Sequence, residues 1–511
     1  MRTRLEFWRM FGCMAALIGS PLAVGQRRPS VKLELNVTRE HFLLGESISV
    51  EIHLKNSGTE AIDAPKLKNV QNTQPVYRLE GPSYPHGVTF SLRDVKLAGD
   101  PAALSANDTP STYRLRPGEV METGFKLDEL KPITEPGMYT ISAKINWGGW
   151  SAEAPAQKFR VDKAKFLEGS LGVDVAAEST RTLRAVWIAE SPEGRVLGES
   201  FFYEKRPDLG EAKVAGTRII RTVGPGAFNP FCPWVNFDRT ASPKFWHGWQ
   251  EGATLFAFSD DESAPRSFEL GSKKAQIVQP AYMSKSGDLE VLVLGENRQK
   301  LRLVRFMAAE GKPPEVLWSL DLAAEAAAIR LGIGPVAEGG HLVAAYVSQT
   351  GPKVSLHLIR IEEKAPEPEP PAIINNAFLL PDSQPSVSIV ADGTVHASVL
   401  LAKHPGLRTL AVADLVVSRG TAAAKGQVTL TDAGRSEAAV IKGWTAQPVT
   451  LEGPRARFWL IRTAQGVFGG GSQSKPVAAG GPVVDFLRMS GATYVLVVDP
   501  NRGPRLIPAE F

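Results

Sequence analysis

From Val31 onward apolar and polar residues alternate with a period of two, the spacing that sends successive side chains to opposite faces of a strand. Val31, Leu33, Leu35 and Val37 share one face, and Ile48, Val50, Ile52 and Leu54 repeat the pattern after the turn Leu44-Gly45-Glu46. Asn56-Ser57-Gly58 supplies residues that tolerate positive φ in a turn. Val88 to Leu92 is another short strand, and Leu115-Arg116-Pro117-Gly118-Glu119 turns the chain into a strand over 121–127. Pro136-Gly137 opens a last pair that reaches Ile145 and Trp147. About seven short strands in about 130 residues predict a β-sandwich over residues 27–162.

After Lys165 the rhythm changes to a recurring unit of proline, apolar strand, turn glycine and second alternating strand. Pro243 with Gly252, Pro280 with Gly287, Pro335 with Gly340, Pro385 with Gly393, Pro448 with Gly453 and Pro482 with Gly491 each mark one. The prolines stand about 48 residues apart on average, close to one propeller blade. Together with the hairpin of Val186-Trp187-Ile188 and Phe201-Phe202-Tyr203, this predicts a β-propeller of six or seven blades over 166–511. Further sandwiches are the alternative, since strand pairs fit both. The likeness to propellers is one of period: the Trp-Asp signature of one propeller class is absent. Residues 362–372, rich in Pro and Glu, read as a loop between blades or a linker, and Ala323 to Arg330 as one short exposed helix.

The order Leu44-Gly45-Glu46, Leu115 through Pro117-Gly118-Glu119, then Pro136-Gly137 with Tyr139-Thr140 resembles bacterial immunoglobulin-like or fibronectin-like modules. The resemblance covers residues 31–162. It implies a sandwich fold and an accessory or adhesive role, with turn glycines and a packed tyrosine as structural residues, and it transfers no functional residue.

Composition places the chain among globular proteins: 511 residues, 43% hydrophobic and 22% charged. Residues 1–25 have the parts of a signal peptide. Arg2, Arg4 and Arg9 precede the apolar run Met10 to Ile18, and Ala23-Val24-Gly25 offers small residues for cleavage. That run is too short to span a bilayer, and no later stretch suits one, so a periplasmic or secreted location without stable membrane insertion is expected. A net charge of +4, half of it lost with the leader, leaves no basic face for nucleic acid. Cys232 then stands alone, so no internal disulfide forms and burial of apolar area must hold the fold.

The chemistry is sparse. The eight histidines form no His-x-His or His-Glu-x-x-His pair, and no metal site or cofactor is expected. His357, between two leucines of a strand, is expected on an exposed face. Asp260-Asp261-Glu262 lacks the spacing of a calcium loop and reads as a solvated turn. Gly469-Gly470-Gly471-Ser472 lacks the Lys of a phosphate loop. One segment stands out: between Phe228 and Trp249 lie seven aromatic residues, with Pro and Asn that argue for a loop. Phe231, Trp234, Arg239, Trp246 and Trp249 are the candidate binding residues, because aromatic faces beside a guanidinium suit sugars or proline-rich peptide. The bland alternative is that the rings fill a core. Cys232 reads as an inert buried thiol.

The expectation is therefore an exported, non-catalytic binding or scaffold protein with a protein or carbohydrate partner in the cell envelope. The rivals are a polysaccharide-active or quinone-dependent propeller enzyme and a structural part of an envelope assembly.

Overall fold

The computed structural model describes residues 30–67, 74–92, 112–175, 181–203, 214–234, 245–309, 311–333, 342–361, 365–380, 384–389, 393–403, 409–418, 421–435, 459–463, 466–470, 483–489, 492–499 and 503–509. Nearly all of them are in strands or the turns between strands, so the chain is all-β. No helix among them is long and apolar enough to cross a membrane. The chain divides into two units, one of residues 1–40 and 48–160, the other of 41–47 and 161–511.

In the first unit the strands Val31–Val37, Ser49–Asn56 and Val120–Lys126 form one sheet. The alternation sets its register: Leu33 pairs with Leu54, Leu35 with Ile52 and Val37 with Val50. Leu33, Leu35, Val50, Ile52 and Leu54 are all buried. A second sheet orders Trp150–Asp162, Gly137–Trp147, Val76–Gly81 and Tyr84–Phe90, and Ile62–Pro65 pairs with Thr112–Leu115. Tyr139 is buried in this sheet, stacked on Phe159 at 5.6 Å, and its hydroxyl donates to the Glu135 carbonyl at 2.6 Å.

The second unit is a succession of sheets, seven among the described residues. The first contains Lys165–Val175, Arg181–Ser191, Gly194–Tyr203 and Val214–Thr222, each antiparallel to the one before. The second contains Ala227–Phe231, Trp246–Glu251, Thr254–Ser259 and Arg266–Glu269. The third runs Gln276–Met283, Leu289–Leu294, Lys300–Phe306 and Glu315–Asp321, with Pro233–Trp234 added in parallel to its first strand. A fourth, over 328–375, and a fifth, over 378–435, repeat the plan. The pair Trp459–Thr463 and Gly466–Gly470, then Val483–Met489, Ala492–Asp499 and Gly503–Ala509, complete the order. Gly252 and Gly287 stand at φ +60° and +86° in hairpin turns, a backbone that side chains resist.

Each sheet offers its first strand to the next. Lys165–Val175 packs on Ala227–Phe231, which packs on Gln276–Met283, which packs on Ala328–Ile333, and that strand on Ser386–Ile389. Lys165–Val175 also packs against Val483–Met489 and Ala492–Asp499. Large apolar clusters fill the spaces between sheets, as hydrophobic burial requires of faces that no water covers.

Residues 41–47 belong to this second unit. Leu43 joins Phe166, Trp187 and Val498 in one cluster. The buried Glu46 accepts from the backbone N–H of Leu43 at 2.9 Å and of Ile219 at 3.1 Å.

Two expectations are corrected. Ala323 to Arg330 holds no helix: the N–H groups of Ala326 and Ala327 donate to the carbonyls of Arg298 and Val347, and a strand begins at Ala328. Pairing within the sheet outweighs the helix propensity of alanine. In the Pro/Glu-rich segment, Pro366–Pro368 pairs with Lys353–Ile361 inside the second unit. His357 is buried, stacked on Tyr346 at 4.1 Å, with Nε2 2.9 Å from the Ser348 hydroxyl.

Candidate functional site

The aromatic segment forms strands. Ala227–Phe231 pairs with Trp246–Glu251, which forms a hairpin with Thr254–Ser259. Phe231 and Trp246 are fully buried and Trp249 is 4% exposed. The Phe231 ring lies where a side chain on Gly248 would stand, so that glycine is required for the packing. Trp246 Nε1 donates to the Gly287 carbonyl at 2.8 Å, and its ring lies 6.2 Å from Phe306. Trp249 stacks on Phe256 at 5.0 Å. Trp234 is half-buried and donates to the Leu171 carbonyl at 2.9 Å. Arg239 lies outside the described residues. The rings expected on a recognition face thus go mainly into the core between the second sheet and its neighbours. Large apolar area explains this: burying such a ring is worth several kcal/mol, more than most surface contacts. Cys232 is buried as expected, its thiol donating to the Arg184 carbonyl at 3.8 Å.

The same packing builds a polar centre that no sequence motif marks. Arg184, Glu199 and Arg218 sit on three consecutive strands of the first sheet, with Glu199 opposite Val186 on one side and Arg218 on the other. The hairpin turn at Ser191–Gly194 fixes that register. His247 comes from the second sheet, and Asp260 from the turn that follows Thr254–Ser259.

Glu199 is fully buried. Arg184 Nη1 donates to its Oε2 at 3.2 Å and Arg218 Nε to its Oε1. His247 Nε2 lies 2.9 Å from Oε2 and, against an ionised carboxylate, carries the proton. Burial alone would push the Glu199 carboxyl up. The hydrogen bond and charge of His247, with the charges of Arg184 and Arg218, outweigh it and hold the group at about 2.

His247 Nδ1 has no hydrogen bond and lies 3.4 Å from Asp260 Oδ1. Arg218 Nη2 is 3.7 Å from the same oxygen. Burial raises the Asp260 carboxyl, against the pull of His247, Arg184 and Arg218. Two aromatic rings frame the cations: Arg184 lies 3.9 Å over Phe245 and 4.7 Å over Phe201, and Arg218 lies 5.6 Å over Phe201.

The centre is graded from dry to wet. Glu199 and His247 are sealed, the Asp260 side chain is 33% exposed and the Arg218 side chain 54%. Beside them Phe201 is half-buried. The two carboxylates face opposite nitrogens of one imidazole, so they do not converge on a point where a metal would sit. Among the described residues no group of three ligating side chains does. The rest of the acidic turn is spent on itself: Asp261 accepts from the Ser259 hydroxyl, and Glu262 accepts from the Ser259 N–H and pairs with Arg266. What remains at the surface is a donor, an acceptor and the half-buried ring of Phe201.

No family model matches the chain, and no curated protein matches it. Solved structures similar to it include AofleA from Arthrobotrys oligospora, at 12% identity over 62% of this chain and 90% of that one, with a TM-score of 0.36. The SapL1 lectin in complex with alpha methyl fucoside is similar at 12% identity over 61% of this chain and 96% of that one, with a TM-score of 0.35. The rhamnogalacturonan lyase YesW is similar at 10% identity over 94% of this chain and 90% of that one, with a TM-score of 0.34.

Proposed function

We propose that the chain is an exported, non-catalytic carbohydrate-binding protein whose recognition surface is the rim formed by Arg218, Asp260 and Phe201. The observation that carries this reading is the buried support: Glu199 and His247 fix a partly exposed guanidinium and a partly exposed carboxylate beside an aromatic ring. Sugar hydroxyls need that combination of donor, acceptor and flat apolar face, and prior ordering of the side chains lowers the entropy lost on binding.

The finer architecture belongs to the same proposal. The second unit is a seven-bladed propeller, a reading supported by Lys165–Val175 packing on strands from both ends of the sheet order. The first unit is an immunoglobulin-like module, a reading supported by its sheets and by Tyr139, whose hydroxyl bonds backbone four residues earlier. The leader at 1–25 directs export to the periplasm or the medium.

Retention on immobilised polysaccharides tests the function. Wild-type protein is expected to be slowed by at least one glycan matrix, and Arg218→Ala and Asp260→Asn to migrate as on a blank matrix. Retention unaffected by both substitutions, or none on any glycan, would overturn the reading. The rival, a polysaccharide-active enzyme, draws on the raised Asp260 carboxyl beside an imidazole, the setting of a general acid. Chain cleavage that disappears in Asp260→Asn would favour it.

A further inference from the structure

A second feature shares the turn that carries Asp260. On the side of that turn facing the third sheet is a groove of about 460 Å³, within the range of small-molecule sites. Its walls are residues 262–267 of the second sheet and Gly311 to Pro314 of the third. Arg266 laces the two walls together: Nη1 donates to the carbonyls of Met307 at 2.6 Å and Lys312 at 3.2 Å, and Nη2 pairs with Glu262. The Arg266 and Glu262 side chains are nearly buried, and the guanidinium lies 5.1 Å over the Trp246 ring. The groove is thus a fixed shape rather than a gap between two loose turns.

The lining determines what fits. Glu262 and Arg266 cancel one another, which leaves Lys312 as the unbalanced charge among the described lining residues. Pro265, Pro313 and Pro314 give rigid apolar walls, and Ser263 and Ser267 add hydroxyls. A cation, two hydroxyls and flat apolar surfaces suit a sugar ring that bears a carboxylate. We propose that this groove is a second subsite for an acidic oligosaccharide, with Lys312 reading a uronate carboxylate while the chain crosses the 260–266 turn to the Arg218–Asp260 rim. This rests on the carbohydrate reading of that rim.

The test is titration calorimetry of the full chain at low salt with an oligouronide and with its fully methyl-esterified form, which differ only in charge. The oligouronide is expected to bind roughly three- to tenfold more tightly, the range of one partly exposed charged contact. Lys312→Gln is expected to close that gap without changing affinity for the ester, and Arg218→Ala to weaken both ligands alike. Equal binding of the two ligands, or a gap that survives Lys312→Gln, overturns the subsite and leaves the rim standing. A gap closed by Lys312→Gln but untouched binding in Arg218→Ala supports the groove and removes the rim. Binding of neither ligand overturns both.

Discussion

Two buried ionisable centres in the second unit meet the penalty of burial in opposite ways. Glu199 stays charged, because two guanidinium groups and the His247 imidazole surround it with hydrogen bonds. His357 stays neutral: burial holds it at about 4, and it stacks on Tyr346 and bonds one hydroxyl. The difference lies in what each connects to. From Glu199 the polar contacts continue outward through His247, Arg218 and Asp260 to solvent, whereas His357 ends inside its own sheet. A buried charge is costly to keep, and here it pairs with a group that reaches solvent. A buried neutral imidazole only packs.

The largest difference should come from removing the buried carboxylate. Glu199→Ala leaves the Arg184 charge uncompensated and His247 Nε2 without its partner, and should lower stability by about 3 to 5 kcal/mol in denaturant unfolding. A loss below about 1 kcal/mol would mean that water already screens the cluster. Replacing Trp246, which belongs to the packed core, by alanine should also cost about 3 to 5 kcal/mol, but without the salt dependence of the Glu199 change. His357→Leu should cost less, about 1 to 2 kcal/mol, mainly by orphaning the Ser348 hydroxyl.

Acid sharpens the contrast. Both folded groups bind protons less readily than the unfolded chain, so protons favour unfolding in each case. His357 contributes stability above about 6.5 that is lost as pH falls towards about 4. Glu199 contributes stability above about 4.5 that is lost as pH falls towards about 2. Melting temperature against pH should therefore decline in two stages, and His357→Leu should erase the upper one only. An unchanged upper stage in that variant would contradict the assignment. The smallest effect is expected at the rim itself: Asp260→Asn should change stability by less than about 1 kcal/mol, since the side chain is partly hydrated.

The sheets were legible because alternation is a local signal. Leu33, Leu35, Val50, Ile52 and Leu54 point inward as their spacing requires, and the glycines at 252 and 287 turn the chain where the repeats place turns. The site was not legible. Glu199, His247 and Asp260 come from two sheets, and nothing local to any of them shows that the sheets meet. One signal was present: the Ser191–Gly194 hairpin places Glu199 between strands that carry Arg184 and Arg218, which marks a charged row on a face otherwise lined by Val186, Ile188 and Leu197. The aromatic segment misled for the opposite reason. Its prolines and asparagines suggest a loop, yet Gly248 lets Phe231 lie flat against the strand, and that close approach is a tertiary fact.

The central claim is that a buried carboxylate presents Arg218 and Asp260 to a sugar. The most direct measurement is a crystal structure of the full chain soaked with an oligosaccharide that it retains. The account predicts a sugar ring over Phe201 with hydroxyls within hydrogen-bond reach of Asp260 Oδ and Arg218 Nη, and Glu199 unmoved beneath them. A ligand bound elsewhere, with the Arg218–Asp260 pair untouched, would contradict it.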